Sequence, residues 1–426
     1  MRLEKWKLQF LAIGYGESLS LVGSGIVQFA LIWWITKYDG SASALTMAAF
    51  MALAPSIVIG PFAGTLAGRL KGKYVLVISA GAGALLSLLS AILITSNQAQ
   101  VWHIDLLILG RSLASAVCKQ VMLVSLSQIV PQKNQARVTA LNQALLGTGI
   151  VILPAVSAIL LAFLTVAQVM LIDCLTFGPF AAAILFANIP SGQRCRPAVT
   201  QTFRANLRAG LGFVTQHRLL KVMCLQTVIL NALLTPALVL LPILVTRVYR
   251  GDVLHLGSLQ VAAGIGLALG GLVFGFVRMP LSRIKLSQIG LIGWGIGTVC
   301  VGAIPAVISN RQDRFLLAVA AMFVIGVTHV LNNAPLAAAQ QAVIPPELSG
   351  RVFTLIDTAV NVGTPIGLYF VGAAGDVIGP ASIWMGAGLM GIFTAVITLF
   401  IPDYMNFGTA ELARTEPIHH RPQALA

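Results

Sequence analysis

The chain has 426 residues, of which 57% are hydrophobic and only 9% are charged, and it carries a net charge of +14. A soluble domain has about 25% charged residues, so this composition excludes an ordinary water-exposed globule and predicts an integral membrane protein in contact with a lipid bilayer. The positive charge does not indicate nucleic-acid binding, because most lysines and arginines lie in short segments between apolar runs, as on the cytoplasmic face of membrane proteins.

Apolar stretches long enough to cross a bilayer as helices, about 20 residues each, recur along the whole chain. The first continues past residue 30 without a clear cleavage site, so we expect a retained helix rather than a signal peptide. We predict twelve spans, at residues 8–36, 43–68, 74–95, 104–129, 137–163, 166–188, 219–246, 257–277, 284–308, 314–342, 351–374 and 378–401. The domain boundaries that follow are an N-terminal six-helix bundle over 1–189, a basic cytoplasmic linker over 190–218, a C-terminal bundle over 219–402 and a disordered cytoplasmic tail over 403–426.

The distribution of basic residues predicts the orientation of these spans. With the N-terminus inside, the inner segments contain 20 lysines and arginines and the outer segments contain five. Because basic residues concentrate in cytoplasmic loops, we expect a multi-pass protein of the cell membrane with both termini in the cytoplasm.

Two similar segments, QIVPQKNQARVTAL and AVIPPELSGRVFTLI, interrupt the apolar pattern. The offset between Pro131 and Pro345 equals the offset between Arg137 and Arg351. A repeat at half the length of the chain indicates that one half duplicates the other. Both segments fall in predicted inner loops, where proline ends a helix and arginine anchors the next one in the headgroup layer. We therefore predict that the two hairpins belong to a gate.

An ionisable side chain inside a spanning helix is costly and is a candidate functional group. Glu17 lies in the first span, and helical spacing places it near one face with Ser24 and Gln28. This polar stripe predicts a water-filled cavity, with Glu17 loading and releasing a proton. The alternative is a carboxylate held in a fixed ion pair at the inner side. The offset of the repeat places Asn231 of the seventh span opposite Glu17.

Other polar residues of the spans are weaker candidates. Arg111, Ser115 and Lys119 recur every four residues in the fourth span, so they share one face, and they either line the cavity or form static ion pairs with Glu17 or Asp173. Asp173 is either a polar tie between helices or a transport residue. Asp357 is a further proton-coupling candidate, or else it sits at the headgroup interface, about 9 Å along a helix from Arg351. The remaining cavity-lining candidates are Asn231, Thr235, His329 and Asn332.

The sequence lacks the groupings that an enzyme needs. There is no nucleophile elbow and no metal-spaced set of histidines and cysteines, and GRLKGKY is only a near miss for a phosphate-binding loop. The five cysteines show no CxxC spacing, which is typical of buried thiols. We expect neither an enzyme nor a cofactor or metal ion.

Several stretches resemble the major facilitator superfamily, and within it the macrolide-efflux type of drug:proton antiporter. They are SLVGSGIVQFALIWWITKYDGSA, GPFAGTLAGRLKGKYVLV, LIDCLTF and, most specifically, QQAVIPPELSGRVFTLIDTAVNVGTPIG. The resemblance extends from about residue 8 to residue 402. It implies an all-α membrane fold of twelve transmembrane helices in two pseudo-symmetric six-helix bundles, with the site between them near the middle of the bilayer.

The resemblance also implies a latch at the inner gate, in the loop between the second and third helices. The family pattern G-x-x-x-D-R-x-x-R-[RK] corresponds here to a segment that retains Gly64, Arg69 and Lys73. Gly68 replaces the acid and Gly72 replaces an arginine. The latch is therefore incomplete in this chain.

Proton coupling is implied through the arginine of the fourth helix, which is present as Arg111 in LGRSLASA. The sixth-helix acid of the family is present as Asp173. The fifth-helix antiporter motif G-x-x-x-G-P is retained only in part, because Leu153 stands before Pro154 where the motif has glycine.

Together these features predict a monomeric secondary transporter that exports a hydrophobic or amphipathic small molecule in exchange for protons. Spans 1, 4, 7 and 10 would line its cavity. The alternatives are an exporter of a lipid or siderophore, a uniporter, a membrane enzyme and a non-transporting membrane sensor.

Overall fold

A computed structural model describes residues 2–59, 72–129, 132–186, 211–276, 281–402 and 404, and within them it contains twelve long α-helices. The helices of the first half are α1 (Arg2–Tyr38), α2 (Ala42–Ile59), α3 (Gly72–Thr95), α4 (Val101–Ile129), α5 (Gln132–Phe163) and α6 (Val166–Phe186). Those of the second half are α7 (Arg218–Ile243), α8 (Val253–Phe276), α9 (Arg283–Val307), α10 (Arg311–Val343), α11 (Pro346–Ile378) and α12 (Pro380–Leu399). A π-helical turn over Leu244–Val248 extends α7.

The helices coincide with the twelve predicted spans, and most ends differ by a few residues. The second span was predicted to reach residue 68, but α2 is described only to Ile59, because residues 60–71 lie outside the described ranges. Ten of the described helices are long and apolar enough to cross a membrane. The two others are α5 and α11, which begin at Gln132 and Pro346, directly after the repeated prolines and with the same offset as those prolines.

Local sequence explains where the later helices begin. The side chain of Ser282 caps α9 by accepting a hydrogen bond from the Lys285 amide, and Asn310 caps α10 by accepting one from the Gln312 amide. Pro346 is the first residue of α11, where its missing N–H costs nothing. Prolines also occur inside seven described helices, a feature that membrane helices tolerate because neighbouring groups satisfy the freed carbonyls.

The packing of the two halves follows the same plan. In the first half the main contacts join α1 with α5 and α6, α3 with α4 and α6, and α2 with α4. The second half repeats these contacts six helices later: α7 with α11 and α12, α9 with α10 and α12, and α8 with α10. This correspondence confirms the predicted pair of pseudo-symmetric six-helix bundles. The domain limits at residues 189, 218 and 402 stay a prediction, since residues 187–210 lie outside the described ranges.

The two halves meet chiefly through two helix pairs, α2 with α11 and α5 with α8. The pseudo-symmetry that relates the two halves converts one of these pairs into the other. These contacts gather at the end of the bundle where α1 ends, which we call the Tyr38 end. There the Asp376 carboxylate of α11 accepts hydrogen bonds from the first amides of α2, from Ala42 at 2.6 Å and from Ser43 at 3.1 Å. A carboxylate at a helix N-terminus satisfies its free amides and opposes its dipole, so Asp376 holds α2 against α11.

A network of uncharged polar side chains is buried in the second half. Tyr404, which follows α12, is fully buried and donates a hydrogen bond to Gln226 Oε1 at 2.7 Å. Gln288 of α9 donates to the Tyr404 hydroxyl at 3.0 Å and accepts from Thr398 of α12 at 3.1 Å. These bonds attach the segment after α12 to α7 and α9.

Candidate functional site

A cavity of about 400 Å³ lies among α1, α3, α4 and α6. Serine, glutamine and basic side chains of α1 and α4 form its polar wall, and small or aromatic residues of α3 and α6 form its apolar wall. The lining residues are Ser20, Leu21, Ser24, Gly25, Gln28, Ser79, Ala80, Gly83, Arg111, Ser112, Ala114, Ser115, Cys118, Lys119, Met122, Phe177 and Phe180.

An ion pair stands at the wall of this cavity. Arg111 Nη1 of α4 lies 2.9 Å from Asp173 Oδ2 of α6, and the two side chains are only 10% and 1% exposed. Arg111 reaches the cavity, whereas Asp173 lies behind it. A charged group that is buried in a membrane protein needs a partner, and each of these residues supplies the charge that the other requires.

Ser87 of α3 joins the pair as a third member. Its hydroxyl accepts a hydrogen bond from Arg111 Nη1 and donates one to Asp173 Oδ2 at 2.7 Å. On the other side of the carboxylate, Thr176 Oγ1 lies 3.4 Å from Asp173 Oδ1. Three helices therefore meet at one carboxylate through charge and hydrogen bonds.

The first helix approaches the same carboxylate closely, and Gly23 makes this approach possible. A Cβ atom at position 23 would lie 2.6 Å from Asp173 Oδ1 and 2.5 Å from Thr176 Oγ1, closer than real side-chain atoms come. Any larger residue at position 23 must push Asp173 aside.

The polar stripe of α1 is placed along the cavity at Ser24 and Gln28. Glu17 is part of α1, but its side chain lies outside the described residues, so its partner in an ion pair stays a prediction. On α4, Ser115 and Lys119 are exposed and line the cavity with Arg111. The face predicted for α4 is therefore the one that meets the cavity.

Candidates in the second half are placed differently from one another. Asn231 donates a hydrogen bond to the Thr227 backbone oxygen of its own helix at 2.8 Å, and it is partly exposed, as is Thr235. His329 Nε2 lies 2.8 Å from Asn333 Nδ2, and His329 Nδ1 has no hydrogen-bond partner among the described residues.

Asn332 does not line a cavity in this conformation. It is completely buried and donates a hydrogen bond to the Ser287 backbone oxygen of α9 at 3.0 Å. His329 lies three positions earlier, about 60° away around the helix, and its contact is with Asn333 of α10 rather than with α9. Asn332 therefore ties α10 to α9.

The remaining predicted residues are scattered. Asp357 is exposed on α11, and no hydrogen bond or ion pair to it is found within the described ranges. Lys73 Nζ donates to the Leu185 backbone oxygen at 2.6 Å, which joins the start of α3 to the end of α6. Gly64 and Arg69 lie outside the described residues, and so do the side chains of Arg137 and Arg351, which are carried by α5 and α11.

Sequence reasoning missed Ser87 and Gly23. Ser87 is one of several serines in an apolar helix, and only its position against Arg111 and Asp173 distinguishes it. Gly23 is likewise one of several glycines in α1.

The arrangement can store and exchange charge rather than make or break covalent bonds. A proton on Asp173 would cancel its charge and leave the Arg111 guanidinium free to turn toward the cavity. Among the described residues, no group of three or more histidine, cysteine or acidic side chains is placed to hold a metal ion.

Comparisons with known proteins agree with this architecture. The sequence model of the major facilitator superfamily matches residues 15–367. Macrolide efflux protein A of Streptococcus pyogenes is 25% identical over 407 residues, which is 94% of this chain and 98% of that protein.

Solved structures show the same fold at low sequence identity. A mutant of the nucleoside transporter NupG gives a TM-score of 0.68 at 14% identity, over 94% of this chain and 99% of that one. The xylose transporter XylE from E. coli, in an inward open conformation, gives 0.64 at 13% identity, over 92% and 96%. The family match, the twelve helices and the duplicated packing lead to one conclusion: the chain is a multi-pass membrane transporter that belongs to the major facilitator superfamily.

Proposed function

We propose that the protein exports a hydrophobic or amphipathic small molecule from the cell in exchange for protons. The observation that carries this proposal is the buried Arg111–Asp173 pair at the wall of the cavity. A transporter driven by protons needs an acid whose charge changes during the cycle and a binding space that feels the change. Asp173 is the candidate acid, and the adjoining cavity is the candidate binding space. Both lie within one group of four helices.

Protonation of Asp173 is the step that couples the two fluxes. The neutral acid no longer attracts Arg111, so the guanidinium loses its partner and turns into the cavity. A cation that is newly exposed there displaces a bound apolar or cationic substrate. When Asp173 loses the proton, the pair forms again and the cavity regains its less polar state. Glu17 stays a second proton-handling candidate in the same helix group.

The chemistry of the cavity favours an amphipathic substrate. Phe177, Phe180 and Met122 offer apolar surface, and Ser24 and Gln28 offer hydrogen bonds. A space of about 400 Å³ suits a drug-sized molecule or one part of a larger one. The macrolide efflux relatives support an export role, and we extend that role to this chain as part of the proposal.

The orientation belongs to the same proposal. The excess of basic residues at the end opposite Tyr38 favours placing that end in the cytoplasm. With both termini inside the cell, the α2–α11 and α5–α8 contacts close the outer side. The conformation is then open to the cytoplasm, and export requires these contacts to separate.

Transport by Asp173→Asn tests the proposal, with Asp313→Asn as the matched control. Both changes remove one carboxylate, but Asp313 is exposed in the first turn of α10, in the second half of the chain. Efflux of ethidium and of a fluorescent macrolide would be measured at equal expression, with a protonophore added at the end. We expect wild type and the control to export in a protonophore-sensitive manner and Asp173→Asn to lose it.

Two results would contradict the proposal. Unchanged, protonophore-sensitive efflux by Asp173→Asn would remove Asp173 from the proton relay and leave Glu17 as the main candidate. Efflux by wild type that ignores the protonophore would indicate a uniporter instead of an antiporter.

A further inference from the structure

A second carboxyl group is buried in the first half, away from the Arg111–Asp173 pair. Asp105 lies in the second turn of α4, and only 8% of its surface is exposed. Its Oδ1 atom is buried and has no hydrogen-bond partner among the described residues. Buried polar atoms in proteins are nearly always hydrogen-bonded, so this orphaned oxygen needs an explanation.

Helical spacing places Asp105 on the side of α4 that packs against α2. Ser112 lies two turns further along the same face of α4, and its hydroxyl donates a hydrogen bond to the Ala52 backbone oxygen of α2. Since α2 and α4 both begin at the Tyr38 end, the segment of α2 beside Asp105 contains Leu45 and Ala48. Both belong to a buried apolar cluster.

No cation approaches Asp105 from the described parts of the helices that pack against α4. The α2 helix contains no ionisable residue. The ionisable residues of α3, Lys73 and Tyr74, lie at its opposite end. On α1, Lys37 lies over the Trp33 ring, 5.1 Å from its centre, Tyr38 stacks on Trp34, and the other charged residues occupy the opposite half of the helix.

The ionisable groups of α4 itself are also engaged elsewhere. His103 accepts a hydrogen bond at Nδ1 from the Gln100 amide, and Arg111 is held by Asp173. Lys119 is exposed at the cavity, about four helical turns away from Asp105. Among the described residues, no group of opposite charge is therefore placed beside Asp105.

We propose that Asp105 is a proton-binding site and that it holds a proton in the conformation described here. An ionised carboxylate with a buried oxygen and neither a cation nor a donor beside it is strongly unfavourable, whereas the neutral acid can be buried. The ligand is a proton taken up from water, which forms the O–H bond of the acid. No other cofactor or co-reactant is required.

The location of the site connects it with the gate. The α2 helix lies between Asp105 on one side and α11 on the other, and Asp376 of α11 holds its first turn. When α2 leaves α11, water on the Tyr38 side reaches Asp105, and the acid exchanges its proton with that water. The Tyr38 end closes only when Asp105 is protonated, so acid on that side favours closure. This gating step rests on the proposed transport cycle, whereas the protonation itself does not.

Infrared difference spectroscopy of the purified full-length protein tests the protonation directly. Spectra would be recorded between about pH 5 and pH 9, the range in which buried acids titrate. Wild type should show a carbonyl band of a protonated carboxylic acid at neutral pH. The band should be absent from Asp105→Asn, present at a shifted frequency in Asp105→Glu and unchanged in the control Asp313→Asn.

A wild-type band that persists in Asp105→Asn, or no such band at neutral pH, would overturn the assignment. Because Asp105→Glu retains the acid, a shifted band in this variant assigns the band to position 105 even if Asp105→Asn misfolds. These readouts need no substrate, so they stand even if the proposed export fails.

A transport measurement in vesicles tests the gating step. Asn resembles the protonated acid, so Asp105→Asn should close the Tyr38 end without a proton. Substrate exchange across the vesicle membrane should slow in wild type as the pH on the Tyr38 side rises, and it should stay fast in Asp105→Asn. Exchange by Asp105→Asn that slows with pH as wild type does would overturn the gating step and leave the infrared result untouched.

Discussion

Removing only one partner of the Arg111–Asp173 pair should strongly destabilise the first helix group. Asp173→Ala would leave the Arg111 guanidinium, which is only 10% exposed, without a counter-charge. Removing one partner of such a buried pair costs about 3–5 kcal/mol, and Arg111→Met should cost a similar amount. The double variant removes both charges, so it should lose less than the sum of the two single variants, by about 1–3 kcal/mol.

The free energy of unfolding would be measured by SDS titration in mixed micelles, with tryptophan fluorescence as the signal. Asp357→Ala serves as the control, since its exposed carboxylate should contribute no more than about 0.5 kcal/mol. If the loss in the double variant equals the sum of the single losses, the two side chains do not interact in the folded protein. The arrangement on which the proposed proton exchange depends would then be refuted.

Three further substitutions test separate contacts. Gly23→Ala should displace Asp173 and cost about 1–3 kcal/mol of unfolding free energy in the same titration. Gly81→Ala is its control, because the Cβ position there is surrounded by open space, and it should be neutral or slightly stabilising. Asp376→Ala should cost about 0.5–2 kcal/mol, because the first amides of α2 lose their cap. It should also increase thiol labelling of a cysteine introduced near the start of α2. Unchanged labelling would mean that the cap does not hold α2 and α11 together. Tyr404→Phe should cost about 1–3 kcal/mol in the same titration, because it removes two hydrogen bonds from buried amides, and it should leave efflux unchanged.

The sequence was sufficient for the course of the helices because bilayer thickness fixes how long an apolar run must be. The repeated prolines were predicted to end the preceding helices, and the next spans were predicted to start at residues 137 and 351. Both helices in fact begin about five residues earlier, at Gln132 and Pro346, because proline fits in the first turn of a helix. The same repeat predicted that the second half packs like the first, and the contacts between helices bear this out.

The composition of the site could not be predicted to the same extent. Helical periodicity indicated one face of α4 but not which helices would lie against it. The partners of Arg111 depend on how α3 and α6 are shifted along α4. In the structure this shift places Ser87 and Asp173 beside the same atom, Arg111 Nη1. The polar residues of α10 show the same limit. The sequence predicted that His329 and Asn332 both line the cavity, but Asn332 is hydrogen-bonded to α9.

The duplication makes the charged site of the first half more informative. The helices α9, α10 and α12 correspond to α3, α4 and α6, yet their charged residues are confined to the first turns of α9 and α10. Their interface is filled by Trp294 and Trp384 in an apolar cluster and by uncharged hydrogen bonds. An apolar interface thus suffices to hold these three helices together in this fold, so the Arg111–Asp173 pair is not required for architecture alone. A buried ion pair gives little net stability compared with well-packed apolar residues. Within the described ranges, the equivalent interface of the second half contains no ion pair, which favours the proposed role of Arg111 and Asp173 in proton exchange.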